Sequence, residues 1–159
     1  GASIHQNHLC VCIQEGILTR HKNTMHSGVQ MKIEHIALWT RKLETMREFY
    51  TYYFDAQAGP KYRNESKDFD SYFLHFEDGA RLELMHMPGI FDPNNDPLKQ
   101  HIGIIHIAIS VGSRERVREL TQQLEADGYE VIGNPRTTGD GYFESVVLDP
   151  ERNRIEITE

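Results

Sequence analysis

The chain carries two cysteines in 159 residues, and they stand one residue apart at Cys10 and Cys12. A disulfide framework needs more of them at wider spacing, so a small secreted scaffold is excluded and a reducing cytoplasm is the expected location. Basic runs are lacking as well: 17 Lys and Arg stand against 24 Asp and Glu, for a formal charge of −7. Nucleic acids and anionic membranes require a concentrated basic face, so neither is expected as a partner and a small molecule is. Long apolar runs are missing too. The segment "LCVCI" has no basic flank and is shorter than a signal-peptide core, and a membrane-spanning helix would need about 20 apolar residues.

What is present is an ordinary globular composition, 38% hydrophobic and 26% charged, in a length suited to one domain. Residues 1–30 hold neither a helical nor a strand period, and they are expected to be a poorly ordered extension or leader. Met31 opens the first clear strand and is one candidate for the natural start, with residues 1–30 as native sequence the other. His5, His8, Cys10 and Cys12 are too irregularly spaced to predict a built metal site.

From residue 31 onward the chain is written twice. "IEHIALWT" at 33–40 and "IIHIAISV" at 104–111 share an I-x-H-I-A frame, and "RLELM" at 81–85 matches "RIEIT" at 154–158. His35 and His106 are 71 positions apart, and Glu83 and Glu156 are 73 apart. Between these twins lie two amphipathic helices. The first carries Leu43, Met46, Phe49, Tyr50, Tyr53 and Phe54, with Thr40 as its expected cap. The second carries Val117, Leu120 and Leu124 between a Ser113 cap and a Gly128 stop. The predicted fold class is α+β, two βαβββ modules in tandem, with module one at 31–87, a Pro/Asn/Asp-rich linker at 88–103 and module two at 104–159.

Strand alternation assigns the faces. His35 shares a face with Ile33, Ala37 and Trp39, and His106 with Ile104, Ala108 and Ser110. Ile36 and Leu38, like Ile105, Ile107 and Ile109, take the opposite face toward the covering helices. Glu83 between Leu82 and Leu84, and Glu156 between Ile155 and Ile157, turn the same way as the histidines, so the four polar groups are expected in one hollow. A lone strand histidine is most often a core residue, and each glutamate has a neighbouring arginine, Arg81 or Arg154, as an alternative ion-pair partner. The twinned pattern favours a divalent ion, which neutralises two buried carboxylates while neutral imidazoles complete its shell. His75 is read as a solvated or core residue.

These residues resemble the vicinal-oxygen-chelate superfamily over positions 31–159, with a glyoxalase/bleomycin-resistance/dihydroxybiphenyl dioxygenase-type fold. The resemblance is nearest to glyoxalase I. It implies one divalent metal per site on His35, Glu83, His106 and Glu156, with zinc or nickel expected first and cobalt or manganese also compatible. It implies a lyase or isomerase that takes a proton from a carbon beside a carbonyl while the metal holds the enediolate, with Glu156 as base and Glu83 as its counterpart on the opposite face. It also implies a homodimer, because related proteins commonly build the site between two chains. The alternatives are a fosfomycin-resistance-like or epimerase-like enzyme, or a drug-sequestering bleomycin-resistance-like binding protein.

Bacterial glyoxalase I enzymes resembling this chain typically carry Arg four residues after the first ligand His and Asn four residues after the first ligand Glu. Here those positions hold Trp39 and Met87. An anionic tripeptide lacks its donors there, so the substrate is expected not to be glutathione-based. Trp39, Met85, Met87 and Phe91 are instead the expected apolar lining of the substrate pocket.

Overall fold

The computed structural model describes residues 30–92 and 96–159. His5, His8, Cys10 and Cys12 lie outside them. In module one, β1 (His35–Trp39) leads into α1 (Leu43–Tyr53), followed by β2 (Gln57–Ala58), β3 (Tyr62–Asn64), β4 (Phe69–His75) and β5 (Arg81–His86). β2 and β3 both pair with β4, at opposite ends, so they act as one strand interrupted at Gly59–Lys61. Module two runs β6 (Ile107–Ser110), α2 (Arg114–Ala126), β7 (Val131–Thr137), β8 (Phe143–Leu148) and β9 (Arg154–Thr158).

The two sheets have the same order, β1-β5-β4-β2 and β6-β9-β8-β7. In each, the first strand lies parallel to the last and sits at an edge. The mixed α+β fold with two tandem modules agrees with the pattern read from the sequence. The strand bounds are narrower than expected. β1 begins at His35, not at Met31, and β6 begins at Ile107, leaving His106 immediately before the strand. The β6 ladder starts at Ile107 opposite Ile155, while Arg154, one residue earlier, directs its guanidinium to the linker carbonyls of Pro97 and Lys99.

Burial follows the alternation. Leu82, Leu84, Ile155 and Ile157 are buried, and Ile36, Leu38, Ile107 and Ile109 pack against the same core. Val117, Leu120 and Leu124 cover the second sheet from α2, whose N-terminus is capped by the Ser113 hydroxyl accepting from Arg116 N at 3.2 Å. Gly128 follows α2 with φ +92°, the left-handed conformation that ends a helix without a Cβ clash.

The expected Thr40 cap of α1 is corrected by the structure. Lys42 occupies the N-cap position; Thr40, two residues earlier, still contributes, its hydroxyl oxygen accepting from Lys42 N at 2.8 Å, and a second acceptor comes from module two. Glu151 Oε1 accepts from Arg41 N at 2.7 Å, Lys42 N at 3.0 Å and the Thr40 hydroxyl at 2.8 Å. A carboxylate suits this position because the first N–H groups of a helix lack intrahelical partners and carry partial positive charge. Further along α1, Tyr50 and Tyr53 donate to Asp149 and Asp127, and Phe49 packs on Tyr129 at 4.9 Å between ring centroids. Helix α1 thus joins the modules while both histidine-bearing faces stay accessible.

Candidate metal centre

The register places each H-I-A frame beside a glutamate of the neighbouring strand. Ala37 lies opposite Glu83 on the parallel β5 strand, and Ala108 lies opposite Glu156 on β9. A methyl group at that position leaves the carboxylate room, and the histidine two residues earlier shares its face. His35 Nε2 is 3.8 Å from Glu83 Oε2, and His106 Nε2 is 3.5 Å from Glu156 Oε2. Both glutamate side chains are largely buried, at 15% and 17% exposure, while the histidines are open at 40% and 41%.

These spacings fit a shared ion within each pair, since two donors each about 2.0–2.2 Å from one ion lie no more than ~4.4 Å apart. Neutral imidazole and carboxylate are also a donor set that borderline divalent metals accept. The four residues occur as two pairs, and no three His, Cys, Asp or Glu among the described residues are grouped to hold a metal. A hollow containing all four within one chain is therefore not what the described residues form.

Neither Arg81 nor Arg154 forms an ion pair with its neighbouring glutamate. Arg81 is ion-paired with Glu34, and Arg154 donates to Pro97 O at 2.6 Å, Lys99 O at 2.8 Å and Gln100 Oε1 at 3.2 Å. Glu34 in turn accepts from His35 Nδ1. That contact, ahead of the opposing effect of desolvation and the further help of Arg81, holds the Glu34 carboxyl below its ordinary value.

A third carboxylate, Glu144, went unrecognised in the sequence. It lies on β8 opposite Thr158, two positions along from the Val146–Glu156 pair and on the same face. Arg136 donates to it at 3.1 Å. Burial, then the neighbouring Glu156 charge, raises its pKa. The triplets Phe69-Asp70-Ser71 and Phe143-Glu144-Ser145 look like twins, but the register does not align them. Glu83 faces Phe73 and Glu156 faces Val146, so Glu144 occupies the position that Ser71 holds in module one. Pairing Glu144 with Glu156 by strand alternation would have found it.

Two grooves adjoin the second pair. One, of about 660 Å³, is lined by Trp39, Phe91, Arg41, His101, His106 and Arg154, among others. The other is lined by His106, Arg136, Glu144, Arg154 and Glu156, together with apolar groups such as Ile132 and Val146. Of the four expected pocket residues, Trp39 and Phe91 line the first groove, while Met85 and Met87 line neither. Trp39 is 45% exposed and meets Phe69 edge-on at 5.9 Å. His75, at the end of β4, is exposed.

Residues 32–157 match the model of the Glyoxalase/Bleomycin resistance protein/Dioxygenase superfamily. The chain belongs to that superfamily. The uncharacterized protein YqjT of Bacillus subtilis (strain 168) is 24% identical over 132 residues, covering 79% of this chain and 96% of that protein. The superfamily fold is shared with glyoxalase I from Zea mays at a TM-score of 0.64 and 19% identity, over 80% of this chain. The chain spans only 44% of that maize protein. The trypanothione-dependent glyoxalase I of Leishmania major aligns at a TM-score of 0.63 and 20% identity, over 82% of this chain and 87% of its own. At these identities the structural likeness establishes the fold. No helix among the described residues is long and apolar enough to cross a membrane.

Proposed function

We propose that this protein is a metal-dependent lyase or isomerase that removes a proton from a carbon beside a carbonyl, with the metal centre shared between two copies of the chain. The carrying observation is the pair of matched half-sites, each placing an imidazole Nε2 3.5–3.8 Å from a carboxylate oxygen. His35 and Glu83 of one copy and His106 and Glu156 of another would together hold one divalent ion. Both half-sites adjoin edge strands, β1 and β6, whose outer backbone groups have no neighbour in their sheets' strand order. The exposed Ile33, Trp39, Ile102 and Ile104 lie near those edges and give a second copy apolar surface to cover.

Zinc, nickel, cobalt or manganese each accept such a shell, and the bound ion supplies Lewis-acid stabilisation of negative charge on oxygen. Glu156 acts as the general base and Glu83 serves the opposite face of the substrate. Arg136 offsets the charge that Glu144 adds beside Glu156. The aromatic surface of Trp39 and Phe91 favours an apolar or aromatic substrate over a glutathione conjugate. The protein is read as cytoplasmic.

Elemental analysis after dialysis tests the metal assignment: His106→Ala should lose most of the bound ion, and unchanged stoichiometry would overturn it. Exchange of carbon-bound hydrogen with deuterated solvent, across 2-hydroxycarbonyl compounds and acyl thioesters, tests the reaction. No exchange by metal-loaded protein favours epoxide opening, and tight stoichiometric drug binding without turnover favours a sequestering role.

A further inference from the structure

The two half-sites differ in what stands behind the histidine. Behind His35 is a closed ring of four residues. Its Nδ1 is hydrogen-bonded to Glu34, whose other carboxylate oxygen is ion-paired with Arg81. The Arg81 guanidinium lies over the Phe73 ring at 4.2 Å, and Phe73 meets the His35 ring edge-on at 5.5 Å. With Nδ1 occupied in this way, Nε2 is the nitrogen that faces Glu83. In module two the position matching Glu34 is Ile105, the one facing Glu156 is Val146 instead of phenylalanine, and Arg154 is directed to the linker. The ring belongs to module one alone.

We propose that Glu34 is a positioning residue, which holds His35 as the Nδ1–H tautomer and presents its Nε2 lone pair on the side of Glu83. A neutral imidazole donates from one nitrogen and accepts at the other, so an acceptor fixed at Nδ1 selects which nitrogen can bind a ligand. Arg81 keeps the acceptor in place by occupying the second oxygen of Glu34, and Phe73 limits rotation of both side chains. Ile105 offers His106 no such acceptor, so the first half-site is the better ordered before any ligand arrives. The proposal rests on the reading of His35 as a ligand only for its consequence, not for the state of the ring.

The test uses full-length 15N-labelled protein freed of metal, with long-range 1H–15N correlations to the imidazole carbons' protons reporting the protonated nitrogen of His35. The wild type should show Nδ1 protonated. Glu34→Ala should give a mixture containing the Nε2–H form, and His106 should be unchanged throughout. Cobalt titration should then show a dissociation constant about 10–100-fold higher for Glu34→Ala, the usual consequence of removing a ligand's outer hydrogen-bond partner. An unchanged His35 tautomer in Glu34→Ala overturns the proposal, and a shifted tautomer with unchanged cobalt affinity overturns its consequence for the metal. Wild-type protein that binds no cobalt would refute the metal reading while leaving the tautomer result to stand or fall separately.

Discussion

The Tyr50 hydroxyl donates a 2.9 Å hydrogen bond to Asp149 Oδ2, linking the middle of α1 in module one to the closing turn of module two. Both groups are buried. Burial, then the Asp149 charge and its hydrogen bond, raises the Tyr50 pKa well above the ordinary phenol value, so the hydroxyl remains a donor. Tyr50→Phe removes the donor while keeping the ring. We expect a loss of about 1.5–3 kcal/mol, the range for a hydrogen bond to a charged group. Urea unfolding should show a lower midpoint at an unchanged m-value, and a midpoint equal to the wild type would mean that the bond contributes nothing net.

Asp149 also makes stability depend on pH. Burial raises its carboxyl pKa above the ordinary 3.8, against the opposing hydrogen bonds from Asn153, Tyr50 and the Glu151 backbone. An acid with a raised folded-state value binds its proton more tightly when folded, so this group's contribution favours folding at low pH. That contribution is lost as pH rises from the unfolded value through the folded one. Asp149→Asn should abolish this part of the slope. Stability curves collected across that window check it, and identical slopes in wild type and variant would remove Asp149 from the account.

Much of this architecture was legible because it is local. The strand faces follow from two-residue alternation around Glu83 and Glu156, and α2 follows from Ser113, Gly128 and the Val117, Leu120, Leu124 stripe. What was not legible depends on contacts distant in sequence. Thr40 was legible as an acceptor at the start of α1, whereas Glu151, which accepts there across 109 positions from Lys42, was not. Glu144 was hidden because its resemblance to Asp70 is one residue out of structural register. The separation of the four site residues into pairs depends on how the modules pack, and periodicity within a strand says nothing about that.

Substrate preference can be tested at Trp39 and Met87. Trp39 is 45% exposed, so replacing it does not excavate the core. The unmodified protein should be a poor lyase for glutathione hemithioacetal. Trp39→Arg with Met87→Asn should raise kcat/KM on that compound at least tenfold, since each charge-assisted hydrogen bond is worth about 1.5–3 kcal/mol. Steady-state kinetics at matched metal loading checks both parts. Robust activity before the changes, or no gain after them, would show that other residues determine the preference.

The proposed sharing of a metal centre between two chains is tested most directly by complementation. A variant carrying His35→Ala and Glu83→Ala and a second carrying His106→Ala and Glu156→Ala should each lose the ion alone. Coexpressed as a mixed dimer, isolated through two different affinity tags, they should recover one ion per dimer, because one intact half-site from each chain then meets the other. Elemental analysis of that mixed dimer reads the result. About one equivalent of metal per dimer is the predicted outcome, and a mixed dimer as empty as its parents would contradict a centre built from two chains.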